Sequence, residues 1–120
     1  MAAFNIVRFR VKPGHEQQFI AAHRSLKPSF KGFRGGVLVR TGEHTFCIVG
    51  EWANFAKLVN ARPQMIGVLD GFRQHLDDLG AGLGLTDPVS GEVVVRLPAS
   101  RLATKKPRAK TKGGKRKKRR

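Results

Sequence analysis

Asn5, Val7, Phe9 and Val11 alternate with Phe4, Ile6, Arg8 and Arg10. One side of residues 4–11 is thus largely apolar while the other turns polar toward its end, the two-residue period of a strand. Lys12-Pro13-Gly14 breaks the pattern. From His15 onward the apolar positions Phe19, Ala22, Leu26 and Phe30 recur at three and four, which is the helical period, and Pro28 is expected to end that helix. Residues 33–40 and 45–52 are two β-rich runs joined by Thr41-Gly42-Glu43-His44, which predicts a hairpin. Helical spacing returns through Phe55, Leu58 and Val59. Past Pro63, which suits a first helical turn, it continues through Met65, Leu69, Phe72, Leu76 and Leu79.

Gly80-Ala81-Gly82-Leu83-Gly84 is expected to stop that helix, and the β-branched run at 92–97 to form the last strand. The element order is β-α-β-β-α-β, an α+β, ferredoxin-like arrangement: a four-stranded antiparallel sheet with helices on one face. The other face would still present apolar side chains, and a domain this small cannot leave such a patch in water. Sheet-to-sheet association into a homodimer is therefore expected.

Charge divides the 120 residues unevenly. Residues 1–100 hold 12 Lys and Arg against 8 Asp and Glu, whereas residues 101–120 hold 12 Lys and Arg and no acid, which accounts for most of the net charge of +16. The expected organisation is one domain over 1–98 and a Lys/Arg-rich tail over 99–120, the domain being large enough for one core and too small for two. No stretch approaches the roughly 18 consecutive apolar residues of a membrane span. The N-terminal segment, interrupted by Arg8 and Arg10, does not read as a secretory signal, so a cytoplasmic protein without membrane attachment is expected. With Cys47 as the single cysteine, no intrachain disulfide can form. The four histidines include no i,i+4 pair around a carboxylate, so no metal site is expected.

The stretches FNIVRFRVKPGHEQQFIAAH, FKGFRGGVLVR and FCIVGEWANFAKL resemble the antibiotic biosynthesis monooxygenase-like domains of the dimeric α/β barrel group. The likeness runs from about residue 4 to residue 97 and not into the tail. It rests on a first strand followed by Lys-Pro-Gly, a Gly-Phe-Arg-Gly-Gly entry to the second strand, and Glu51-Trp52 closing the third. The resemblance implies cofactor-free oxidation of a small aromatic molecule by O2, in a pocket between sheet and helices whose wall includes the tryptophan matched by Trp52. Ile48 and Leu58 stand where those oxygenases carry an asparagine and a tyrosine. Val7, Ala61 and Gly71 occupy the positions of the haem-degrading branch's polar set.

Within that frame the candidate catalytic residues are His23 and Trp52. His23 adjoins Ala22 on the inner stripe of the first helix, where an imidazole can deprotonate an acidic phenol. Phe55 and Met65 are expected near Trp52 and would make the pocket apolar. Arg73, and beyond it Arg8 and Arg10, are the residues able to hold an anionic oxygen, although Arg73 also forms an i,i+4 pair with Asp77 and His75 an i,i+3 pair with Asp78 if that segment is helical. The glycine-rich 80–84 run lacks the strand-before, helix-after context of a nucleotide loop.

The tail carries Lys105, Lys106, Arg108, Lys110, Lys112, Lys115, Arg116, Lys117, Lys118, Arg119 and Arg120 as candidate nucleic-acid contacts. Its chemistry is sequence-tolerant phosphate neutralisation of DNA or RNA, since it offers no rigid element to read base edges and no aromatic for stacking. Three classes of function stay open from the sequence: a monooxygenase acting on a small aromatic or apolar ligand, a non-enzymatic dimer that presents basic tails to nucleic acid, and a ligand sensor in which the pocket is the input and the tail the output.

Overall fold

The first strand, whose alternation buries one face, is paired on both sides. The structure, a computed structural model, describes residues 1–99. β1 (Ala3–Val11) pairs antiparallel with β3 (Thr45–Trp52), and β3 pairs antiparallel with β2 (Phe33–Arg40) through the hairpin that the Thr41–His44 turn predicts. On the other side of β1 lie β4 (Leu76–Asp77) and β5 (Thr86–Glu92). These two are one strand in two pieces. Arg10 faces Asp77 and the next residue, Phe9, faces Thr86, so residues 78–85 are an excursion inserted between consecutive rungs of a single ladder. Leu79 N donates to Gly84 O at 2.8 Å and Leu83 N to Gly80 O at 3.0 Å to close it. Gly80, Ala81, Gly82 and Gly84 all have positive φ there, a backbone region that glycine enters at little cost. With the two pieces counted together the sheet has four strands in the order β2-β3-β1-β4/β5, the α+β, ferredoxin-like arrangement expected.

Helices cover one face. α1 (Glu16–Arg24) follows β1. α2 (Phe55–Asn60) begins at Asn54, whose side chain accepts a 2.9 Å hydrogen bond from Lys57 N, and α3 (Arg62–Asp70) carries Pro63 in its first turn, where a missing N–H costs nothing. The helical spacing through Leu79 overstates α3. The helix ends at Gly71, a 3-10 turn spans Arg73–His75, and Leu76 is already on the sheet. Phe72 and Leu76 are buried as the spacing requires, but a turn and a strand deliver them.

The last strand also lies earlier than expected. Residues 86–92 take the register against β1, with Asp87 opposite Arg8, whose Nε donates at 2.9 Å, and with Pro88 tolerated on an edge strand. The β-branched run 93–97 continues past the sheet. After Val93 N bonds Ala2 O at 2.8 Å no further rungs form, and Val94 and Leu97 are about nine-tenths exposed.

Odd-numbered residues of β1 point toward the helices and feed two clusters. One joins Phe9, Val11, Phe19, Phe46, Phe72 and Leu76. The other joins Ala3, Trp52, Leu58 and Ala61, with Phe30, Phe33, Phe55 and Met65 packed against it. On the opposite face Val37, Val49, Ile6 and Val89 form one row across all the strands. Val37 is 58% and Val89 61% exposed, so this row is apolar and uncovered by the described residues. Arg8 and Asp87 pair on the same face.

Candidate functional site

Three residues of α1, Ile20, His23 and Arg24, stand at i, i+3 and i+4 and so share one helix face. Opposite them, Leu38, Arg40 and Phe46 share the helix-facing side of the β2–β3 hairpin, with Arg40 directly across from Phe46. Together these six residues line a cleft of about 340 Å³ between helix and hairpin. Buried Phe46 forms its floor. The guanidinium of Arg40 lies over that ring, Cζ 4.8 Å from the centroid, while Arg40 Nη1 donates to Glu43 O at 2.9 Å.

His23 is held from two sides. Its ring stacks on Phe72 with centroids 4.3 Å apart and 16° between planes, and it meets Phe19 at 4.5 Å. Its Nδ1 lies 3.0 Å from the carbonyl oxygen of Phe19. A carbonyl only accepts, so Nδ1 carries the proton, and in the neutral ring the lone pair resides on Nε2. Burial pushes the imidazole below the usual histidine range, and the Phe19 hydrogen bond partly opposes that. His23 is therefore neutral near pH 7, the form in which Nε2 accepts a proton.

Trp52 lies elsewhere. It is 1% exposed in the second cluster, stacked on Phe30 at 5.8 Å and edge-on to Phe33 at 5.1 Å. Phe55 and Met65 pack against the same cluster, and Asn5 Nδ2 reaches Met65 Sδ at 3.6 Å. The indole Nε1–H is buried and has no hydrogen-bond acceptor among the described residues. Gly50 faces it, and a Cβ there would stand 3.5 Å from Nε1 and 3.3 Å from Phe33. None of Trp52, Phe55 and Met65 lines the His23 cleft.

Arg73 is outside both places. In place of the i,i+4 partner expected on a helix, its Nε donates to Asp70 at 2.7 Å, because the helix has ended before Asp77. For the same reason His75 does not pair with Asp78. Its Nδ1 lies 3.1 Å from His15 Nδ1, while Asp78 accepts from Gly80 N. Arg8 and Arg10 lie on the face away from the helices, engaged with Asp87 and with the carbonyl of Asp78. At the β1 end of the sheet Glu16 pairs with His44, and its carboxyl is held below the usual range by backbone hydrogen bonding, its own amide first, and then by His44.

Sequence reasoning missed Ile20, Arg24, Leu38, Arg40 and Phe46 as cleft residues. Their signal was available: the i, i+3, i+4 spacing around His23 and the hairpin register that puts Leu38, Arg40 and Phe46 on one side. Among the described residues no three His, Cys, Asp or Glu side chains stand together as a metal site, and no helix is long and apolar enough to cross a membrane. Lys105 to Arg120 lie outside the described residues.

The fold is shared with several solved structures. SnoaB, a cofactor-independent oxygenase from Streptomyces nogalater, superposes with a TM-score of 0.63 at 14% identity over 82% of this chain and 98% of its own. A protein of unknown function from Nitrosomonas europaea gives 0.60 at 21% identity over 82% and 96%. Rv0793 from Mycobacterium tuberculosis gives 0.62 at 12% over 82% and 100%. No curated protein matches the sequence. The family model for antibiotic biosynthesis monooxygenase matches residues 3–62, half of the chain, spanning β1 through α2 with His23 and Trp52 both inside it, and the chain thus belongs to the antibiotic biosynthesis monooxygenase family.

Proposed function

We propose that this chain is a cofactor-free monooxygenase-like protein that binds a small aromatic or apolar molecule between its sheet and α1. The carrying observation is His23: a neutral imidazole with its tautomer fixed by Phe19, in the wall of an apolar-floored cleft. A phenolic anthrone lodged there gives its proton to Nε2; the anion reduces O2 and forms a C–O bond to it, the peroxide takes the proton back, and loss of water leaves a quinone, so one oxygen atom ends in the product and the other in water. Trp52 with Phe55 and Met65 supports the adjoining cluster from within the core. The homodimer is part of the same reading. The uncovered row Val37-Val49-Ile6-Val89 supplies an apolar strip that a second copy can cover.

Oxygen uptake with a phenolic anthrone tests the chemistry. His23→Gln keeps the size of the ring while losing the base, and a fall in kcat of about 10²-fold or more with folding unchanged is the expected result. Uptake unaffected by both His23→Gln and Trp52→Phe overturns the reading.

A second reading draws on the charge of residues 101–120, 12 Lys and Arg without an acid. Tails of this composition neutralise phosphates, and a dimer with two of them gains avidity on DNA or RNA. In that reading the folded domain is a non-enzymatic platform or a ligand sensor. Deleting residues 101–120 is expected to remove binding to duplex DNA at low salt. Affinity that survives the deletion rejects it.

A further inference from the structure

Eight arginines lie in residues 1–99, and they fall into two groups. Arg8, Arg34, Arg73 and Arg96 each meet a carboxylate of this chain. Among the described residues Arg10, Arg24, Arg40 and Arg62 do not; Arg10 donates to the Asp78 carbonyl and Arg62 to the Ser90 hydroxyl, whereas Arg24 and Arg40 stand in the wall of the His23 cleft. The acids closest to them in sequence are turned elsewhere: Glu16 pairs with His44, and Glu43, 88% exposed, also points its carboxylate toward His44. No Asp or Glu lines the cleft. Its remaining wall is Ile20, Leu38, Phe46 and the uncharged ring of His23.

Two guanidiniums without an acid, over an apolar floor, make a site with a strong preference of sign and shape. A neutral ligand would gain nothing from the charge of either cation, which water would go on solvating. A dianion as polar as free phosphate would gain from the cations and waste the apolar wall. We infer that the cleft takes an aromatic carboxylate: the ring against Ile20, Leu38 and His23, the carboxylate oxygens on Arg24 and Arg40. Arg40 already stands over Phe46 and is oriented by the carbonyl of Glu43, so little side-chain freedom is lost when it engages the anion. This inference rests on the ligand-binding role proposed for the cleft and names the chemical class of its occupant.

The test compares 2-naphthoate with its neutral isostere 2-naphthamide on the full chain at physiological salt. Affinity is read by calorimetry and location by the methyl resonances of Ile20 and Leu38. The basic tail is present in every variant, so any anion binding it contributes is common to all. Naphthoate is expected to bind at least tenfold tighter than naphthamide and to shift the Ile20 and Leu38 methyls. Arg40→Gln is expected to remove most of that advantage, and Arg24→Gln/Arg40→Gln all of it, read in each variant as the ratio of the naphthoate and naphthamide affinities. Both side chains are exposed, so the variants keep the wild-type fold. Equal affinities for the two ligands, with methyl shifts, overturn the charge preference and leave the ligand-binding proposal standing. A naphthoate advantage that persists in the double variant, or comes without methyl shifts, places the anion on the tail and overturns the inference. Binding of neither compound removes the inference together with the reading on which it rests.

Discussion

The two clusters beneath the helices are built from similar materials and behave as opposites. Around Phe19, aromatic rings surround a histidine whose one proton is satisfied by a carbonyl, and the edge of that cluster opens into a cleft. Around Trp52, aromatic rings close over a donor that finds no acceptor among the described residues, and the tryptophan is sealed. Packing quality alone does not separate them. The difference is access: a titratable group at a boundary can exchange protons with a ligand, whereas a buried indole mainly contributes area. A family resemblance that points to Trp52 therefore speaks for the fold more surely than for a reactive role of that residue.

The sharpest way to break this comparison is to truncate both residues. Trp52→Ala is expected to cost about 3 to 5 kcal/mol in denaturant unfolding, the range for emptying a large buried aromatic site. His23→Gln is expected to change stability by less than about 1.5 kcal/mol, since the residue is half-buried and the replacement is polar and of similar size. Equal losses would mean that both are core residues and nothing more. Next in size, Gly50→Ala places a methyl 3.3 Å from Phe33 and 3.5 Å from the indole nitrogen, and a loss of about 1 to 2 kcal/mol is expected as the rings yield.

The uncovered sheet face offers a third contrast, because Val37→Lys lies on it and touches neither cluster. The thermal stability of the monomer should hold, while association through the proposed face weakens by tenfold or more in sedimentation, about 1.4 kcal/mol. A dimer that persists unchanged locates the interface elsewhere. The smallest effect is in pH. Burial keeps the folded His23 below the usual histidine pKa, so as pH falls through the ordinary histidine range the unfolded chain takes up a proton that the folded chain resists. The stability associated with His23 is complete above that range and declines as pH drops below it. Urea midpoints of wild type and His23→Gln should accordingly diverge between pH 7.5 and 5.5. Parallel curves would mean that the ring is not desolvated.

Much of this architecture was legible because each clue was local. The two-residue period at 4–11, the Thr41–His44 turn and Pro63 set β1, the hairpin and the start of α3 where they are found. The illegible part was settled by long-range competition. Met65, Leu69, Phe72 and Leu76 keep helical spacing whether Leu76 ends a helix or starts a strand, and only its place beside Val11 decides. The run at 93–97 has higher strand propensity than residues 86–92, yet the register against β1 selects the latter. At the cleft the same limit applies. His23 was visible as an imidazole on an inner stripe, but that Arg24 and Arg40 converge on it depends on how α1 crosses the hairpin, which no spacing encodes.

The excursion at residues 78–85 has a consequence for how this fold can vary. Its two ends, Asp77 and Thr86, occupy neighbouring rungs opposite Arg10 and Phe9, so β1 fixes them independently of what lies between. Lengthening such a loop adds only about 0.6 kcal/mol of closure entropy per doubling. The tip from Gly80 to Gly84 is thus a natural graft point: a foreign peptide inserted there would be displayed from the sheet without changing the pairing on either side.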